Sequence, residues 1–333
     1  GVKCIHKKAF SKRLALFTAG LIMLAALSGC GQTAFALPYD TTCGVSSYQV
    51  VHTVNAQSAS PFAQDLCIVT KDVTEDLGVD MTTAGAALLC DVNNARVLYA
   101  QNVYETMHPA SLTKIMTALI ALKYGSMDQV LTASDNVRIS ESGAQLCGIK
   151  PGDTMTLSQA LHILLIYSAN DVGVLIAEGV ADDVDSFTEL MNKEALAIGA
   201  TNTHFSNPHG LTADNHYTTA YDLYLIFNEA IRYEAFREII HMDSYSTVYY
   251  DQNGNSKEFS CNTTNLFLRG NYTPPENITV VGGKTGTTNA AGHCLILLSR
   301  DVNGAPYISV ILRSDSRDNV YKQTAAMLSQ IGK

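Results

Sequence analysis

From residue 84 onward, the pattern of apolar and polar positions divides the chain into blocks. Two short apolar runs, 84–90 and 95–100, flank the polar stretch Asp91-Val92-Asn93-Asn94 and predict a β-hairpin. Behind Pro109, the apolar residues Ile115, Met116, Leu119, Ile120 and Leu122 recur at helical spacing, and Gly125 is placed to end that helix. Between 156 and 232 the period stays helical. Leu157, Leu161, Leu164 and Leu165 mark one helix, Phe187, Leu190, Met191 and Ile198 a second that Gly199 stops, and Leu223, Ile226 and Phe227 a third. Strand-like runs return at 245–250, followed by an Asn253-Gly254 turn, and again at 278–287, 294–299 and 307–312. A last helix covers 319–331. The order strands, helices, strands, helix predicts an α+β fold: an antiparallel sheet flanked by helices, with an all-helical subdomain at about 126–235. A doubly wound parallel sheet would alternate strand and helix throughout.

The chain ahead of this block reads differently. Lys3, Lys7, Lys8, Lys12 and Arg13 precede the apolar run 14–27, with no acidic residue among them, so residues 1–30 predict an export signal outside the fold. The run ends in Leu27-Ser28-Gly29-Cys30, which resembles a lipoprotein box and makes Cys30 the candidate for lipidation; Ala34-Phe35-Ala36 is a competing cleavage site. Residues 31–80 lack sustained periodicity and predict a linker, with one strand near 67–70. As a flexible tether it would span roughly 40 Å. The folded domain is expected at 81–333, outside the cytoplasm and held to the membrane's outer face by the lipid.

With 47% hydrophobic and 16% charged residues, the chain can bury a sizeable core. Its formal charge of −9 disfavours nucleic acid as a partner, because phosphate binding needs clustered Lys and Arg. Loss of the signal would remove five of the 22 basic residues and leave the working surface more acidic still. The cysteines form no C-x-x-C pair, and Cys90 and Cys294 lie in apolar runs where a buried free thiol is expected.

Three short motifs carry candidate chemistry. A serine hydroxyl becomes a nucleophile only when a base takes its proton, and a lysine can be that base only while uncharged; burial and a second nearby cation both favour the uncharged form. Ser111 and Lys114, at i and i+3 on the first turn of an apolar helix, fall on one face. Lys284-Thr285-Gly286, with Thr287 after it, lies on a predicted strand. There a cation and a hydroxyl can take a terminal carboxylate, while the glycine lets a peptide backbone lie close. The third motif has two candidates, Ser134-Asp135-Asn136 and Ser168-Ala169-Asn170. The latter falls between two apolar helices, where a hydroxyl and an amide can be held rigidly, so Ser168 and Asn170 are assigned to the site and the former is set aside.

In the order S-x-x-K, S-x-N, K-T-G, the chain resembles the low-molecular-mass penicillin-binding proteins, serine-type D-Ala-D-Ala carboxypeptidases, from about residue 84 to the end. The stretches 108–117, 150–153, 207–211 and 262–265 also look like segments of that family. The resemblance implies a β-lactamase/transpeptidase-like fold and an acyl-enzyme formed when Ser111 attacks with Lys114 as base. Ser168 would relay a proton to the departing D-Ala, Asn170 would orient Lys114, and Lys284 with Thr285 would receive the carboxylate. The backbone N–H groups of Ser111 and Thr287 would form the oxyanion hole. It implies peptidoglycan stem peptides as substrate, β-lactam antibiotics as covalent inhibitors, and no cofactor. Gly283 replaces the aliphatic residue usual before the lysine, which predicts a looser strand there. Because the sequence stops just after the last helix, neither the C-terminal β domain nor the amphipathic anchor frequent in the family is expected. The N-terminal lipid would serve as the anchor instead.

Two other readings share the pocket: a β-lactamase, which would need a Glu-x-x-Leu-Asn segment that the sequence lacks, and a non-catalytic penicillin-sensing module. A metal hydrolase is disfavoured: His204, His209 and His216 cluster without an H-E-x-x-H, and Asn207-Pro208-His209-Gly210 reads as a turn.

Overall fold

Five antiparallel strands form the central sheet of the computed structural model, which describes residues 65–333. They are β1 (Ala86–Asp91), β2 (Arg96–Gln101), β7 (Thr279–Thr288), β8 (Gly292–Arg300) and β9 (Pro306–Ser314), in the order β2-β1-β9-β8-β7. Strands 1, 8 and 9 are apolar on both faces. Alternation sends Leu88, Cys90, Ile296, Ile308 and Val310 into one core, and Leu89, Leu295, Leu297 and Ile311 into another. The C-terminal helix, Arg317–Leu328, covers the second face with Val320, Tyr321, Met327 and Leu328. It starts ahead of the apolar period because Ser316 caps it, accepting from the Asn319 N–H.

The first face is covered by α5 (Ala220–Ala230), and α1 (Thr113–Tyr124), α2 (Leu157–His162), α3 (Asn170–Ala181) and α4 (Val184–Ala197) join the same core behind it. Helix α6 (Glu234–His241), absent from the sequence expectation, buries Phe236, Ile239 and Ile240 at i, i+3 and i+4. The C-terminal helix is thus α7.

Two expectations need correcting. The insert is not all-helical: β3 (Val130–Thr132), β4 (Thr154–Thr156), β5 (Ser244–Tyr250) and β6 (Ser256–Asn262) form a second antiparallel sheet in that order. Only β5 was foreseen: β3 and β4, at three residues each, carry no period, and β6 is mostly polar. Nor is there a strand at 67–70. Cys67 is instead fully buried, its N–H donating to Tyr224 Oη at 3.0 Å and its carbonyl accepting from Tyr221 Oη at 2.8 Å, while Val73 bridges to Ala100. Residues 65–80 therefore pack onto the domain, which begins upstream of 81. The expected signal 1–30, Cys30 and the rest of the expected linker lie outside the described residues. Among the described residues, no helix is long and apolar enough to cross a membrane.

Candidate active site

The chain enters α1 through a 3-10 turn, Ala110–Leu112, in which Ala110 adopts φ +49° although it is not glycine. This places Ser111 at the edge of a cleft of about 610 Å³. Gly210 makes the turn's surroundings possible. At φ +96° it passes so near that an added Cβ would come within 1.9 Å of the Ala110 carbonyl. The loop 204–217 thereby lies directly on the turn that carries Ser111.

Lys114, fully buried, directs Nζ to three oxygens: Ser111 Oγ at 2.8 Å, Asn170 Oδ1 at 2.7 Å and the His209 carbonyl at 2.7 Å. Burial above all, and then the charge of Lys284, hold this amine well below the ordinary lysine range, and the Asp171 carboxylate opposes them only in part. Counting hydrogens makes the consequence specific. A neutral amine has two N–H bonds and one lone pair. Asn170 Oδ1 and the His209 carbonyl can only accept, so they take both N–H bonds. In that neutral form the lone pair is left facing Ser111, whose hydroxyl can donate to it.

Asn170 owes its position to an irregular helix end. Helix α2 widens into a π turn, Ile163–Tyr167, and breaks at Ser168, which is left-handed at φ 69°, ψ 35°. The break turns the Ser168 side chain off the helix and lets α3 begin at Asn170, whose N–H donates to the Gln145 carbonyl at 2.8 Å. Next to it, buried Asp171 accepts the N–H groups of Cys147, Gly148 and Ile149, fixing the loop whose residues 141–145 form one wall of the cleft.

The opposite wall is β7, an edge strand paired only with β8. Lys284 runs beneath the cleft, 1% exposed, and donates to Ser168 Oγ at 2.9 Å and the Thr285 carbonyl at 2.8 Å; burial pulls it down to about 7. Thr285 Oγ1 lies 2.6 Å from Thr264 Oγ1. A Cβ on Gly286 would stand 3.0 Å from the Ser111 nitrogen, a tight approach that glycine avoids where this strand passes Ser111. The expectation of a loose strand at Gly283 is corrected. Gly283 pairs with Leu297, and an added Cβ would fall 1.9 Å from the Ile296 carbonyl, so the position is too tight for a side chain.

The structure thus brings Ser111, Ser168, Asn170, Thr285, Gly286 and Thr287 to one cleft, with Lys114 and Lys284 buried under it. Ser134-Asp135-Asn136 is elsewhere: Ser134 Oγ accepts from the Asn136 N–H and donates to Glu178, capping a short turn.

Over residues 49–316 the sequence matches the D-alanyl-D-alanine carboxypeptidase family. The chain belongs to that family. It is 35% identical over 227 residues to D-alanyl-D-alanine carboxypeptidase DacF of Bacillus subtilis, covering 66% of this chain and 55% of that protein. It is 32% identical over 228 residues to DacA of Escherichia coli, covering 66% and 53%. The chain spans about half the length of these curated relatives. The crystal structure of the Streptomyces K15 DD-transpeptidase has a TM-score of 0.69 at 23% identity, over 74% of this chain and 96% of that one, which establishes the shared α+β fold. An evolved penicillin-binding protein homologue from Mycobacterium tuberculosis gives a TM-score of 0.65 at 26% identity, over 74% and 90%.

In this member of the carboxypeptidase family, several site groups were not foreseen in the sequence. The His209 carbonyl is a backbone group and has no residue-type signature, although the Asn207-Pro208-His209-Gly210 turn marked its place. Asp171 directly follows the S-x-N motif. Thr264 lies in the Asn262-Thr263-Thr264-Asn265 stretch, and Arg269 and Arg317 bring positive charge to the cleft.

Proposed function

We propose that this chain is a serine-type D-Ala-D-Ala carboxypeptidase, which removes the terminal D-Ala from peptidoglycan pentapeptide stems through an acyl-enzyme on Ser111. The observation that carries the reading is the arrangement at Lys114: a buried amine whose two pure acceptors leave its lone pair for the Ser111 hydroxyl.

The substrate's carboxylate binds Lys284 and Thr285, and its backbone extends along the free edge of β7. Lys114 takes the Ser111 proton as Oγ bonds to the carbonyl carbon, and the resulting oxyanion is met by the N–H groups of Ser111 and Thr287. The C–N bond then breaks, and the proton that Lys114 took passes through Ser168 to the departing D-Ala amine, which leaves Lys114 neutral again. Water, deprotonated by Lys114, attacks the ester and releases the shortened peptide. A β-lactam enters the same first step and remains attached to Ser111. The enzyme works on the outer face of the cytoplasmic membrane; residues 1–30 direct export, and a lipid on Cys30 anchors it.

Release of D-Ala from a synthetic pentapeptide, compared between the wild type and Ser111→Ala, tests the proposal. Release by the wild type alone supports it. Release by neither overturns it in favour of a penicillin-sensing module.

A further inference from the structure

The direction of the Lys114 lone pair depends on where the His209 carbonyl stands, and that carbonyl belongs to the loop 204–217. Besides Lys114 itself, two side chains tie this loop to α1. Thr117 Oγ1 donates to the Pro208 carbonyl at 2.6 Å. The second contact lies closer to the chemistry: Thr113 Oγ1, between Ser111 and Lys114 in the chain, meets His216 Nε2 at 2.7 Å. His216 is 1% exposed and does not line the cleft. Its surroundings determine its tautomer. The Ser206 N–H donates into Nδ1 at 3.0 Å, so Nδ1 carries no hydrogen and Nε2 carries one, which it donates to Thr113 Oγ1. Ser206 Oγ lies 3.4 Å from the same Nδ1. The His216 backbone is held as well, its N–H donating to the Ala213 carbonyl and its carbonyl 2.9 Å from His108 Nδ1. Burial, and then the neighbouring His108 and His204, push protonation of the ring down to about 3, so it stays neutral wherever the enzyme works.

We propose that His216 is a positioning residue: through Thr113 it locks the first turn of α1 to the loop that presents the His209 carbonyl, and so aims Lys114 at Ser111. This inference rests on the reading of Ser111 and Lys114 as nucleophile and base. It assigns no contact with substrate to His216. A lysine on a flexible stem can occupy many rotamers, and a displacement on the order of 1 Å in a catalytic pair costs roughly 10²-fold in rate.

The test is acylation of the full-length chain by a fluorescent penicillin, resolved into the dissociation constant of the encounter complex and the limiting acylation rate. His216→Phe removes both ring nitrogens. His216→Gln keeps a donor and an acceptor on one planar group, and Thr113→Val removes the hydroxyl from the other side at nearly the same shape. The expected result is a limiting rate about tenfold to 100-fold lower in His216→Phe and Thr113→Val, with encounter affinity unchanged. His216→Gln restores most of the rate, and the double variant His216→Phe with Thr113→Val is no slower than either single one. The inference is overturned by a folded Thr113→Val at the wild-type rate, by His216→Gln as slow as His216→Phe, or by affinity falling in step with rate. If His216→Phe does not fold, Thr113→Val and His216→Gln decide the matter. Failure of the wild type itself to be acylated would instead sink the parent reading of Ser111 and Lys114.

Discussion

Lys284 Nζ stands 2.9 Å from Ser168 Oγ, although the two residues lie 116 positions apart. One comes from the edge strand of the central sheet, the other from the left-handed break between α2 and α3. This contact joins the walls of the cleft at its floor and sets a cation next to the hydroxyl that faces the leaving group in the proposed mechanism. It also explains how two lysines share one buried pocket. Each is costly to charge there, and the charge on Lys284 adds to burial in keeping Lys114 neutral.

Removing that hydroxyl separates chemistry from binding. Ser168→Ala is expected to lower kcat for pentapeptide about 10²-fold or more, the usual worth of a positioned proton donor, with little change in KM. Steady-state kinetics check this, and a rise in KM at constant kcat would assign Ser168 to binding alone.

The two lysines also predict the pH dependence. As pH falls through the depressed range of Lys114, the amine gains a proton and Ser111 loses its base, so kcat/KM falls on the acid side. Above about 7 the free enzyme's Lys284 loses its proton and its attraction for the substrate carboxylate, so kcat/KM also falls on the alkaline side. A bound carboxylate favours the charged form of Lys284. The alkaline limb of kcat is therefore expected at higher pH than that of kcat/KM, and coincident limbs would contradict the assignment.

Burying Lys284 destabilises the fold, and the sign can be worked out. In the folded protein it titrates near 7, and unfolded near its ordinary 10.5. Between these values the unfolded chain holds a proton that the folded one lacks, which favours unfolding. The penalty is fullest at and below about 7 and fades as pH rises toward 10.5. Lys284→Met removes the penalty. It is expected to be more stable than the wild type by about 4 to 5 kcal/mol at neutral pH, with the gap closing in alkali, while losing activity. Urea unfolding at both pH values checks this; a gap that does not depend on pH would contradict it.

Gly283 gives a steric prediction. Because its Cβ position overlaps the Ile296 carbonyl, Gly283→Val is expected to destabilise the domain by roughly 3 kcal/mol or prevent folding. Wild-type thermal stability in this variant would restore the view of a loose strand.

What the sequence revealed follows from how each feature is encoded. Ser111 and Lys114 were legible because the chemistry itself demands that spacing on an apolar helix. Strands β1, β8 and β9 were legible because their runs are apolar and bounded by turns, and β7 because Ile278, Val280 and Val281 lead into the Lys284-Thr285-Gly286 motif. Strands β3 and β4 were not, since three residues do not show a period. The π turn before Ser168 leaves no mark in a run such as Ile163-Leu164-Leu165-Ile166, because widening a helix by one residue changes no residue type. The tightness at Gly283 depends on a carbonyl 13 residues away across the sheet, so comparison with the aliphatic residue usual at that place suggested the opposite.

The central claim is that Lys114 is uncharged beside Ser111, and NMR titration of the protein with isotope-labelled lysine tests it most directly. One lysine Cε–Nζ resonance, identified by its loss in Lys114→Met, should pass from the neutral-amine to the ammonium signature only at a pH well below the ordinary lysine range. If that resonance instead keeps the ammonium signature until the ordinary lysine range near 10.5, Lys114 cannot be the base.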